Sequence, residues 1–242
     1  MLTLADLVLA LLIVVVLPLR AWFGMRALKA TAVSDLPAMR RFSWGRAILS
    51  QWFLVALVLA VWIARHRSLV TLGLGLKPSG GLAGVLVGLA TIVAIVLRQR
   101  GAVDTDESVR QRIRDRLEPV RRLMPGTAAE FPMFAALACT AGLCEEFLFR
   151  GYLAWVLSAV LPYPVAPAAQ ALVFGLCHAY QGPRGIVLTT FAGAFLTGVV
   201  LVTGSLWPAM LIHALMDLHA GDLARRVFPP ETDPSAAEPG AA

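Results

Sequence analysis

Six ionisable residues stand in apolar surroundings in the second half of the 242-residue chain: Glu145, Glu146 and Arg150 in GLCEEFLFRG, His178 in VFGLCHAYQG, and His213 and Asp217 in MLIHALMDLH. Their spacing sorts them. Glu146 and Arg150 are four apart with the acid first, the order in which a helix stacks an ion pair on one face. Glu145 is turned about 100° from its neighbour and needs a different partner. One acid therefore reads as structural and the other as reactive. His213 and Asp217 are again four apart and can face one cavity. The carboxylate could fix the imidazole in one tautomer, or the two could both ligate a metal. His66, among loop arginines, and His219, near the last helix end, read as non-catalytic.

Depth links the first two groups. In an antiparallel hairpin, residues equally far from the turn are level. Glu145 and His178 are equidistant from Leu161-Pro162-Tyr163-Pro164, where two prolines stop one helix and start the next. Each lies roughly 25 Å below that turn at about 1.5 Å per residue. A histidine level with an unpaired glutamate is a candidate for acid–base work. The same count places His213 only about 12 Å from its own turn near Gly204 and Ser205. A broken penultimate helix or an unwound Ser205–Pro208 segment would be needed to bring it level with the others.

The elements that must position these groups are membrane helices. Hydrophobic residues make up 58% of the chain and charged residues 15%, against about 25% charged in soluble domains. Mean hydropathy is +0.74, and the apolar residues fall in long blocks. Spanning segments are expected near 2–19, 47–64, 81–97, 131–161, 164–181, 185–204 and 206–224. The expected fold is therefore an all-α polytopic bundle of about seven spanning helices around a membrane-embedded polar cavity. It is one domain over 1–228, followed by a Pro- and Ala-rich, acidic tail over 229–242 that reads as disordered. The segment 2–19 lacks a basic region ahead of its apolar run and carries Asp6, so it reads as a helix and not as a signal peptide. Cys139, Cys144 and Cys177 make no CxxC pattern and read as buried free thiols.

The net charge of +6 does not point to nucleic acid, because its residues lie between the apolar blocks. Six basic residues fall in 20–46, eight in 98–126, and Arg184, Arg225 and Arg226 join that side; only Arg65, Arg67 and Lys77 lie opposite. This places the N-terminus outside and the C-terminus in the cytoplasm. Anionic lipids are the partner such charge implies. Val109, Ile113, Leu117, Val120 and Leu123 recur at helical spacing between arginines, so 101–124 is expected to be an amphipathic helix on the inner membrane surface. The preference for Arg over Lys, with abundant Ala, Gly and Val, fits a GC-rich bacterial genome and thus a bacterial inner membrane.

Three motifs in order, E-E-x-x-x-R at 145–150, F-x-x-x-H at 174–178 and H-x-x-x-[N/D] at 213–217, resemble those of the CAAX protease and bacteriocin-processing family (CPBP, also called Abi). Its eukaryotic relative is the Ras-converting CAAX endopeptidase. The resemblance covers about 127–220. It implies endoproteolysis in a water-filled cavity open to the cytoplasm, acting on a peptide or membrane-associated protein. Position by position, it implies Glu145 as the base that activates water, assisted by His178. Glu146 and Arg150 would brace the helix, and His213 with position 217 would stabilise the oxyanion. The CAAX-processing relatives have Asn where this chain has Asp217, and an ionised carboxylate cannot donate to an oxyanion. Asp217 is then protonated, orients His213, or joins Glu145, His178 and His213 around a divalent metal such as zinc. A non-catalytic scaffold or immunity protein on the same fold, and a proton-coupled transporter using these groups as a relay, are the alternatives. The ionisable groups occupy one half of the chain, without the paired broken helices of a transporter.

Overall fold

The computed structural model describes residues 2–75 and 82–228. Lys77 and the expected tail over 229–242 lie outside them. The described residues form eight helices and no strand. These are α1 (Leu4–Ala30), α2 (Val33–Ala64), α3 (Leu82–Thr105), α4 (Glu107–Leu117), α5 (Phe131–Ser158), α6 (Val165–Cys177), α7 (Pro183–Thr203) and α8 (Trp207–Val227). Of these, α1, α2, α5 and α7 are long and apolar enough to cross a membrane, and α6 is a shorter apolar helix. The most polar long helix is α8, which carries His213, Asp217, His219, Asp222, Arg225 and Arg226. The chain is an all-helical membrane protein with four such spans among the described residues, where seven were expected.

The first two helices are longer than their apolar blocks. Residues 20–46, expected to connect two spans, continue both helices and break only around Thr31 and Ala32. Leu, Arg, Met, Ala and Lys all favour helix, so LRAWFGMRALKA extends α1 with its basic residues beyond the apolar run. At the other end of α1, Thr3 and Asp6 form a capping box. Asp6 is fully buried, and both its oxygens accept from Arg67, at 2.7 and 2.8 Å. The Arg67 guanidinium lies over the rings of Trp62 and Trp155, and the Tyr152 hydroxyl donates to Asp6 at 3.0 Å. A polar staple thus joins α1, the loop after α2, and α5.

The segment after α3 has a protein partner. Asp106 caps α4; the Ser108 hydroxyl and the Val109 and Ser108 N–H groups hold its carboxyl below the usual range. Val109, Ile113 and Leu117 pack with Val103, Leu223, Val227 and Phe228. The apolar stripe expected on a membrane surface is turned onto α8. Beyond a short 3₁₀ turn (Glu118–Leu123), the connection to α5 is held by a buried pair, Arg40 and Glu130 at 3.3 Å. The Trp44 ring N–H donates to the Leu123 carbonyl nearby. Of the three free cysteines only Cys144 is buried; Cys139 is exposed because its side of α5 faces away from the bundle.

Candidate active site

The site is built on α5, whose hydrogen-bonding register widens to a π-helix over Glu146–Leu153, a feature that often marks functional positions. All eight residues of that stretch are buried. Glu146 Oε1 accepts from Arg150 at 2.8 Å and from His213 Nδ1 at 2.7 Å. The i, i+4 ion pair expected from spacing is present, and it has a third member. Arg150 also donates to the Gly193 carbonyl at 3.2 Å, and its guanidinium lies 4.0 Å above the Phe174 ring. Gly193 permits that approach: a Cβ there would stand 3.1 Å from the Phe174 ring and 3.2 Å from Arg150 Nη2.

Glu145 points elsewhere. Its Oε1 accepts from the Gln51 amide of α2 at 3.2 Å, and its Oε2 lies 3.9 Å from His178 Nε2. His178 closes α6, with φ −99° and ψ 18°, and its Nδ1 sits 2.8 Å from the Phe174 carbonyl. A carbonyl only accepts, so Nδ1 carries the proton and Nε2 presents a lone pair towards Glu145. The hairpin turn at Pro162 to Pro164 is what sets these two residues level.

His213 meets Glu146 without a broken α7 or an unwound start of α8. The turn before α8 is sunk into the protein. Leu206 is wholly buried, its N–H donates to the Gly73 carbonyl at 2.9 Å, and it packs against Gly151. Helix α5 runs seven residues past Gly151 to Ser158, roughly 10 Å further, so α8 begins about that much deeper than α5 ends. Gly142 then lets the two helices touch. A Cβ on it would fall 2.7 Å from the Met210 carbonyl and 2.8 Å from Ala214. His213 Nε2 is 3.8 Å from Asp217 Oδ2, and the Asp217 side chain is 41% exposed.

Among the described residues no group of three or more His, Cys, Asp or Glu is spaced to hold a metal ion. His213 Nδ1 is already committed to Glu146.

Residues 127–219 match the family model described as type II CAAX prenyl endopeptidase Rce1-like. This segment is similar to the CAAX protease family. No curated protein and no solved structure matches the chain. The CAAX-protease segment runs from just before α5 to within α8 and contains Glu145, Glu146, Arg150, His178, His213 and Asp217. At family level the match supports a CAAX-protease-like peptidase of the membrane.

Of three further participants in the site, Phe174 opens the F-x-x-x-H motif but had no role of its own assigned, and Gly193 and Gln51 belong to no motif. Phe174 is its hub, with ring centroids 4.7 Å from His178 and 6.0 Å from His213 and with Arg150 over its face. Gly193 supplies the carbonyl for Arg150. Gln51 lies outside the CAAX-protease segment altogether. Its only trace in the sequence is that it interrupts an apolar block.

Proposed function

We propose that this chain hydrolyses a peptide bond, in a peptide or near the end of a membrane-associated protein, using a water activated by Glu145. One observation carries the reading: Glu145 Oε2 and His178 Nε2 are two acceptors facing each other at 3.9 Å. A water that donates to both satisfies them, and both are fixed from behind, one by Gln51 and the other by the Phe174 carbonyl. Glu145 takes the proton as the water oxygen attacks the carbonyl carbon. The C–O bond forms and the carbonyl oxygen becomes an oxyanion. As an imidazolium held between Glu146 and Asp217, His213 donates from Nε2 to that oxygen. Glu145 then returns its proton to the amide nitrogen, the C–N bond breaks, and an acid and an amine leave. Glu146 and Arg150 keep His213 in place. Asp217 orients His213 from its exposed side and need not donate itself.

The matching family model is described as a type II CAAX prenyl endopeptidase, which makes a farnesylated CAAX peptide one of the test substrates. In this chain the substrate class is a peptide segment that reaches the membrane interior. The loop charges support an N-terminus outside and a C-terminus in the cytoplasm, and the preference for Arg over Lys supports a bacterial inner membrane. The test is cleavage by purified protein in nanodiscs, against a quenched-fluorescent peptide library that includes farnesylated CAAX peptides. Glu145→Gln should lose at least about a hundredfold in kcat, the lower range for removing a general base, at unchanged Tm. A Glu145→Gln protein as active as the parent, or a parent that cleaves nothing, would overturn the proposal.

A further inference from the structure

Glu145 holds its geometry through a residue outside the family segment. Between Ala47 and Ala64, α2 has only two polar side chains besides its tryptophans, Ser50 and Gln51. Ser50 satisfies itself on its own helix, donating to the Ala47 carbonyl at 3.0 Å. Gln51 crosses to α5 and donates from Nε2 to Glu145 Oε1 at 3.2 Å. The next residue, Trp52, donates to Thr140 on the same helix. The amide orientation follows from chemistry: a carboxylate only accepts, so nitrogen and not oxygen must face it. The cost is visible, because Gln51 Oε1 is buried without a hydrogen-bond partner among the described residues. Hydrophobic packing alone would be served better by Leu or Met. A glutamine kept in an apolar span with half its amide unsatisfied points to the half that is used.

We propose that Gln51 is a positioning residue for Glu145: by holding Oε1 it leaves Oε2 turned towards His178 Nε2 and the water between them. A carboxylate without this donor rotates about its terminal torsion, a broad and soft one. It then loses the alignment that proton abstraction requires. The inference rests on the proposed function for its kinetic consequence, but the Gln51–Glu145 contact can be tested without any substrate.

Two measurements test it. The first is a double-mutant cycle in Tm, in nanodiscs, over Gln51→Met, Glu145→Met and the double variant. Coupled residues give a double variant whose loss in Tm differs clearly from the sum of the single losses; additivity within error overturns the inference. The second uses the farnesylated CAAX peptide, or whichever library peptide the parent cleaves fastest. Gln51→Met should lower kcat roughly tenfold to a hundredfold, the range for a hydrogen bond to a charged group, with KM unchanged. Gln51→Glu, of the same shape but repelling Glu145, should fall below Gln51→Met. A structural role would instead move KM, leave kcat at the parental value and rank the two variants by packing. Parental kcat in Gln51→Met overturns the positioning role. If the parent cleaves no peptide, the proposed function fails, and the thermal cycle still decides whether Gln51 and Glu145 are coupled.

Discussion

Replacing Glu146 by Gln should damage the protein differently from replacing Glu145 by Gln. The two acids are adjacent and chemically identical, so any difference must come from their surroundings. Glu146 is wholly buried and serves two cations or donors, Arg150 at 2.8 Å and His213 at 2.7 Å. Arg150 is itself buried, with its side chain 1% exposed. Removing the carboxylate charge strands that guanidinium, and breaking a buried pair costs about 3–5 kcal/mol. Glutamine retains one oxygen that can accept from Arg150, so the lower end, about 3 kcal/mol, is expected. For a chain of this size a change of 1 kcal/mol moves Tm by about 2–4 °C, so the expected loss is roughly 6–12 °C. Glu145 is 18% exposed and has a single neutral donor, so Glu145→Gln should stay within about 2 °C of the parent. Thermal unfolding of both variants in the same detergent, followed by a thiol-reactive dye on the native cysteines, makes the comparison. A control removes both partners: Glu146→Leu with Arg150→Met should recover part of the Tm lost by Glu146→Gln, since apolar replacement of a whole buried pair is often neutral. Equal Tm values for Glu145→Gln and Glu146→Gln would refute the division of labour between the two acids.

Two further outcomes follow from the same geometry. Asp6→Asn should lower Tm by roughly 6–12 °C in the same assay, because Asp6 is fully buried and holds Arg67 and Tyr152 at once; a Tm within about 2 °C of the parent would contradict the staple. Asp217→Asn should keep kcat within about threefold of the parent and be insensitive to chelator, because Asn can orient His213 and can also donate to an oxyanion. An inactive Asn variant restored by excess zinc would instead make position 217 a metal ligand, whose loss typically costs roughly 10–100-fold.

What the sequence reveals here depends on how local the determinant is. Apolar blocks mark the membrane helices, and i, i+4 spacing predicts the Glu146–Arg150 pair. The Glu145–His178 encounter is legible because a proline-marked hairpin converts residue counts into depth. His213 defeats the same count, because the depth of α8 is set by where its first turn docks. That docking uses the Gly73 carbonyl and Gly151, more than 50 residues away from Leu206. The meeting of His213 with Glu146 depends on it too, 67 residues apart. Asp6 and Arg67 are 61 apart, one inside an apolar run and the other in a loop, so nothing local links them. Gln51 lies 94 residues from Glu145 and belongs to no motif. The π-helical stretch has no local signature, since EFLFRGYL is compatible with an ordinary helix.

The burial of α5 explains why one helix serves both the site and the staple. Half of α5's most apolar window is buried, against 17–22% for the other three candidate spans. The stretch Glu146–Leu153 is buried on all sides and has no lipid face on which to place polar groups, so each needs a protein partner in its own direction. From Glu146 to Trp155 those partners come from every side. Glu146 meets His213 of α8, Phe149 meets Phe174 of α6, and Arg150 meets Gly193 of α7. Tyr152 meets Asp6 of α1, and Trp155 meets Trp62 of α2. The staple residue Tyr152 is two positions from Arg150 on the same rigid segment. The first two helices, outside the CAAX-protease segment, therefore clamp the helix that carries both glutamates, at Tyr152 from one end and at Glu145 through Gln51 from the other.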